Sequence, residues 1–184
     1  MTHSSYLLGK SPRTSFVWRY TGRNQYEMLC GSLVRGTLAL SLEPSILFQP
    51  NHTDFYRAYA QTGDRTYSFK CVFLDGTYRG NVMVDEGTSQ PLALFEERAS
   101  HFFWCRRRRI VLCESGTVWP WTRGADKGHW IARGSASKIL ELQSANPESG
   151  GAVRIYSPSA LKGPHNRALI LFCIYLAMGP KRLR

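Results

Sequence analysis

The sequence predicts a mainly β protein: a barrel or sandwich of about a dozen short strands, followed by one fully apolar helix. Three observations carry this. Turn-forming pairs such as Asp75-Gly76, Glu86-Gly87 and Ser115-Gly116 recur between short β-type runs. The run TYSFKCVFL, residues 66–74, alternates with period two, so Tyr67, Phe69, Cys71 and Phe73 share one face, Ser68 and Lys70 the other. Residues 168–178, ALILFCIYLAM, are eleven apolar side chains in succession, with no polar face at either period. Strands and helices do not alternate, which argues against a doubly wound parallel sheet.

Taken in order, strands are expected at 16–20 and 26–33, separated by Thr-Gly-Arg-Asn. The next, 37–42, follows Gly36 and is closed by Pro44; 55–60 and 66–74 flank Thr62-Gly63-Asp64. At Asp75-Gly76 glycine accepts the positive φ of a tight hairpin, which places strands at 77–85 and, after Glu86-Gly87, at 91–99. Then come 110–114 and 117–121 around Ser115-Gly116, followed by 130–133, 139–143 and 152–156, the last preceded by the turn NPESGG. The helix is expected to be capped by Asn166 and stopped by Gly179-Pro180. Helix is preferred over a central buried strand because Leu, Ala and Met favour it and the run exceeds a typical strand. A bilayer span needs about 20 apolar residues, so no transmembrane span is expected and protein must surround the helix.

The 184 residues fit one domain spanning 1–184, with residues 1–14 expected to lie outside its ordered part. A hydrophobic content of 43% and an aromatic content of 12% exclude a disordered chain. The net charge of +11 is uneven: residues 37–100 carry five basic and eight acidic side chains, residues 101–138 eight and two. Such an excess speaks of an anionic partner or of solubility, not of fold. The five cysteines contain no C-x-x-C pair, so neither a zinc ribbon nor a full disulfide framework is indicated; Cys105 and Cys113 read as small buried thiols. The N-terminus lacks a signal-peptide stretch, and the expected setting is intracellular, cytoplasmic or peripheral to a membrane. Its acid-free, hydroxyl-rich composition with Lys10 and Arg13 also keeps organelle import open.

Catalytic signatures are missing. The five histidines have no metal-ligand spacing, and no G-x-S-x-G elbow or phosphate-cradling glycine loop occurs. The adjacent carboxylates Asp85-Glu86 and Glu96-Glu97 would point to opposite faces of a strand and cannot flank one bond. A non-enzymatic binding domain with no cofactor and no metal is the expectation; the alternatives are an RNA-associated β-rich domain of an organellar assembly and, third, an enzyme with an unrecognised site.

The candidate binding residues are Arg106, Arg107, Arg108 and Arg109, with Arg123, Lys127, Arg133, Trp119 and Trp121. Arginines beside tryptophans suit anionic lipid headgroups, because indole favours an interface and each basic contact contributes ~1 kcal/mol near the surface. A protein partner suits the same basic surface. With Trp104, Trp130, Phe102 and Phe103 added, the same mixture suits single-stranded nucleic acid, where bases stack on aromatics beside backbone-tracking cations. The plain alternatives are tryptophans that serve the core and arginines on a solvated loop. The arginine run is expected to be a connection joining 99–105 to 110–114, since a continuous strand would bury two arginines on its core face.

Three stretches resemble a known architecture. PLALFEERASHFFWCRRRRIVLCESG looks like a strand, aromatic-and-basic loop, strand unit; GGAVRIYSPS like a late barrel strand; HNRALILFCIYLAMGPKRLR like a closing helix with a basic tail. Together they resemble the tubby C-terminal-like fold shared by tubby proteins, phospholipid scramblases and LURP-one-related proteins, most closely its small fungal members. That resemblance implies a closed antiparallel β-barrel around a buried hydrophobic C-terminal helix. It covers the last half of the chain, and the spaced lysines and arginines with which tubby grips phosphoinositides are not found, so no binding residue is carried over.

Overall fold

The computed structural model describes residues 12–43, 55–74, 78–99, 106–124, 126, 128–135, 137–146 and 149–178. Twelve antiparallel strands close into a barrel: β1 (Thr14–Gly22), β2 (Gln25–Cys30), β3 (Leu33–Glu43), β4 (Phe55–Thr62), β5 (Arg65–Leu74), β6 (Tyr78–Asp85), β7 (Gln90–Ala99), β8 (Arg106–Leu112), β9 (Val118–Arg123), β10 (His129–Arg133), β11 (Lys138–Gln143) and β12 (Gly150–Ile155). Each pairs with its neighbours in sequence, and β1 pairs with β12 from Thr14↔Ile155 to Arg19↔Gly150 to seal the wall. A short 3-10 turn, Pro158–Leu161, leads into the helix α1 (Asn166–Met178). The expected fold class is thus the observed one.

Alternation sorts the side chains. Trp18, Met28, Leu38, Tyr67, Phe69, Ile110 and Trp119 all point inward and are at most 1% exposed. The helix fills the space they enclose, with Ala168 to Ala177 buried without interruption. A helix apolar all round is stable in water only when sheathed in this way. Phe172 and Tyr175 pack on Phe69 at ring distances of 5.1 and 5.5 Å, and the Tyr175 hydroxyl donates to Asn81 Oδ1 at 3.1 Å. At the other end of α1, the Tyr67 hydroxyl and His165 Nδ1 share a hydrogen bond of 3.1 Å. The helix therefore enters beside the β4–β5 hairpin and runs toward the end where β7 meets β8 and β9 meets β10. That second end is called the mouth below.

Several boundaries differ from expectation, for physical reasons. The strand expected at 26–33 is cut by a turn at Gly31, with φ 61°, and Gly36 is no boundary but lies inside β3. A Cβ on Gly36 would sit 2.9 Å from Leu171 Cδ1 and 3.0 Å from Thr62 Cγ2, so glycine here admits the helix against the wall. Asn166 is the first residue of α1 and not its cap: the first helical bond runs from the Leu169 amide to the His165 carbonyl. Of the segment 1–14 expected outside the fold, Thr14 opens β1 and the Arg13 amide bonds to the Ile155 carbonyl; residues 1–11 lie outside the described residues. So do the turn at Asp75-Gly76, Cys105, the stop at Gly179-Pro180 and the basic tail. Cys113, expected buried, is exposed because it follows the end of β8 into a turn.

Candidate functional site

The four arginines are in a strand, which corrects the expected connection. Along β8, Arg106, Arg107, Arg108 and Arg109 face Ala99, Arg98, Glu97 and Glu96 of β7. At Arg108 and Arg109 the electrostatic objection to a strand is met by acidic partners in register. On the outer face Arg109 Nε donates to Glu96 at 2.6 Å; on the interior register Arg108 Nη2 donates to Glu97 at 3.1 Å. Glu96 and Glu97 thus point to opposite faces, as strand geometry requires. Arg108 escapes full burial because β8 runs past the packed core to the mouth, leaving its side chain 27% exposed.

At the mouth, Arg108 does not act alone. Its guanidinium lies 5.3 Å from the ring centre of Trp130, and that of Arg123 lies 6.0 Å from the same ring. Trp130 and Arg123 are direct cross-strand partners on β10 and β9. Trp130 stacks in turn on Trp121, 5.8 Å away and nearly parallel at 11°. Two cations therefore converge on one indole, held by cation–π attraction, with Glu97 bonded to one of them. Arginine's planar fork matches phosphate or carboxylate, so a guanidinium presented at the mouth suits an anion.

The remaining predicted residues fall elsewhere. Trp119 and Trp121 are 1% and 2% exposed and belong to the core; the reason is inward register on β9, where Trp119 pairs with inward Ile110. Neither can touch a partner, so their expected role as surface groups is corrected. Arg107 and Arg133 are exposed, without a carboxylate partner among the described residues. Lys127 and the side chain of Arg106 lie outside the described residues. Sequence reasoning counted Trp130 only among the aromatics that could stack on nucleic acid, and missed Glu97 as part of the site. The signal was present: Glu96-Glu97 and Arg108-Arg109 are symmetric about SHFFWC, as residues paired across one hairpin must be.

A second polar cluster sits on the outer wall. Glu141, 6% exposed, receives the Tyr156 hydroxyl at 2.5 Å and Lys138 Nζ at 3.1 Å, and is bonded to His129 Nε2. Burial raises its pKa, but the hydrogen bonds from Tyr156, Lys138 and His129 and the Lys138 charge outweigh that, and the net shift is downward. The same contact, with burial first, pushes the Tyr156 hydroxyl up. His129 Nδ1 is buried against Gly124, so close that no side chain fits at that position. This nitrogen is closed to substrate, and the cluster ties β10, β11 and the end of β12 together.

Among the described residues no group of three or more His, Cys, Asp and Glu is placed to hold a metal ion, and no helix is long and apolar enough to cross a membrane. A scan against protein-family models and searches of curated proteins and of solved structures find no match to this chain.

Proposed function

We propose that this chain is a non-enzymatic binding domain, a divergent tubby-like barrel whose mouth takes the anionic group of a membrane lipid headgroup between Arg108 and Arg123. The observation that carries the reading is their convergence on Trp130. Trp130 and Glu97 hold the guanidiniums in place before binding, which lowers the ordering cost of recognition. Exposed Arg107 and Arg133 add longer-range attraction that salt screens. The interior is occupied by α1 and aromatic side chains, which directs the binding chemistry to the barrel's outside and mouth.

The nucleic-acid reading has less support. A single-strand binder needs open aromatic faces, yet among the described residues Trp18, Trp119 and Trp121 are at most 2% exposed and Trp130 already carries Trp121 and two arginines; Phe102, Phe103 and Trp104 lie outside the described residues. Flotation with phosphatidylcholine vesicles, with and without 30% phosphatidylserine, tests the proposal at ~150 mM salt, where unspecific electrostatics is damped. Binding only to the anionic vesicles, weakened roughly tenfold or more by Arg108→Gln with Arg123→Gln, is expected from ~1 kcal/mol per basic contact. Filter retention of single-stranded RNA without vesicle binding would replace the lipid reading with the nucleic-acid one.

A further inference from the structure

Four of the five large hydrophobic side chains most exposed among the described residues lie on two strands that flank β2: Val17 and Tyr20 on β1, Leu33 and Val34 on β3. Isolated exposed hydrophobics are ordinary, but Val17 and Val34 are joined by register. Val17 faces Leu29 of β2, and Leu29 faces Val34 of β3, so the three form one row across the outer wall. Val17 is 52% and Val34 49% exposed, while Leu29 between them is 9% exposed. A bulge gives β3 one extra residue here, Arg35, beside the row. Its other borders are Arg13, which precedes β1, and Arg154 of β12, paired with Ser15 next to Val17. The acidic neighbour, Glu27, is held by Arg19 at 2.8 Å.

We infer that this face docks a protein partner through an acidic, amphipathic segment, its apolar side chains on the Val17–Leu29–Val34 row and its carboxylates toward Arg13, Arg35 and Arg154. Charge complementarity selects the partner. A second copy would bring an identical basic border and another +11 of net charge against the first. A lipid surface fits less well, because the row lies along the side of a convex wall and offers no tryptophan, the residue that favours the bilayer interface. The face is separate from the proposed anion site, so the barrel would join an acidic protein to an anionic group bound at its mouth.

Selection from a random library of displayed 16-residue peptides tests this on the full chain, with counter-selection on a Val17→Asp, Val34→Asp variant. Both positions are exposed, so the variant is expected to keep its thermal midpoint and its binding at the mouth. The expected result is enrichment of peptides with net negative charge and regularly spaced apolar residues, binding at least tenfold more weakly to the variant and to Arg35→Glu with Arg154→Glu. No enrichment, enrichment of neutral or basic peptides, or equal binding to the variants overturns the proposal. So does sedimentation of the wild type as a dimer that Val17→Asp disperses, or vesicle binding that the same variant abolishes.

Discussion

Glu141 is a carboxylate on the outer wall that its neighbours have almost closed from water, and its energetics are set by three donors. Because its folded pKa is depressed, its contribution to stability is fully present above the ordinary carboxylate range, near 4.3, and is lost as pH falls through the lower folded value. Urea midpoints measured from pH 7 to pH 3 should therefore fall more steeply in wild type than in Glu141→Gln. At neutral pH that substitution should cost about 1–3 kcal/mol, because it weakens charged hydrogen bonds in a nearly buried place. Equal pH slopes would show that the carboxylate contributes nothing specific. Cys173 makes a contrasting case: full burial pushes its thiol far up, and it is expected to resist alkylation in the folded protein while exposed Cys113 reacts.

At the scale of elements, α1 was readable because its signal is one-dimensional: eleven apolar residues admit one solution, enclosure. Ile170→Asp should unfold the barrel, since it places an unpaired charge where the side chain is 2% exposed. The milder Leu171→Ala should cost about 2–5 kcal/mol by chemical denaturation, a range set by how far the barrel relaxes into the cavity. Alternation made most strands legible for the same reason. Glycine was less legible, because it serves both as turn and as close-approach residue. Gly31 is the former and Gly36 the latter, and only the position of Leu171, far along the chain, tells them apart. Gly36→Val should therefore destabilise, whereas a true turn at 36 would have tolerated other polar residues.

The arginine run shows the limit more sharply. Considered alone, four consecutive cations in a strand are unfavourable, which argues for a loop. Pairing to Glu97 and Glu96 offsets that penalty for Arg108 and Arg109, and pairing is a property of two strands taken together. Trp119 and Trp121 were drawn to the surface by the same oversight, since residue type alone does not reveal inward register on β9.

For the whole molecule, a closed wall with no free strand edge and a filled interior makes a rigid support that presents side chains at its mouth and along its sides. On the proposed reading, the basic excess would steer an anionic partner and the convergence on Trp130 would give it a place to stop. Binding at the mouth should thus weaken as salt rises. The indole N–H of Trp130 reports on this directly. In an ¹⁵N-labelled sample at ~150 mM salt, titration with a soluble short-chain phosphatidylserine should shift the Trp130 signal saturably, identified by its loss in Trp130→Phe. The signals of buried Trp18 and Trp119 should hold still, and the response should vanish in Arg108→Gln with Arg123→Gln. A Trp130 signal that does not move, or that moves equally in the double variant, would contradict the account.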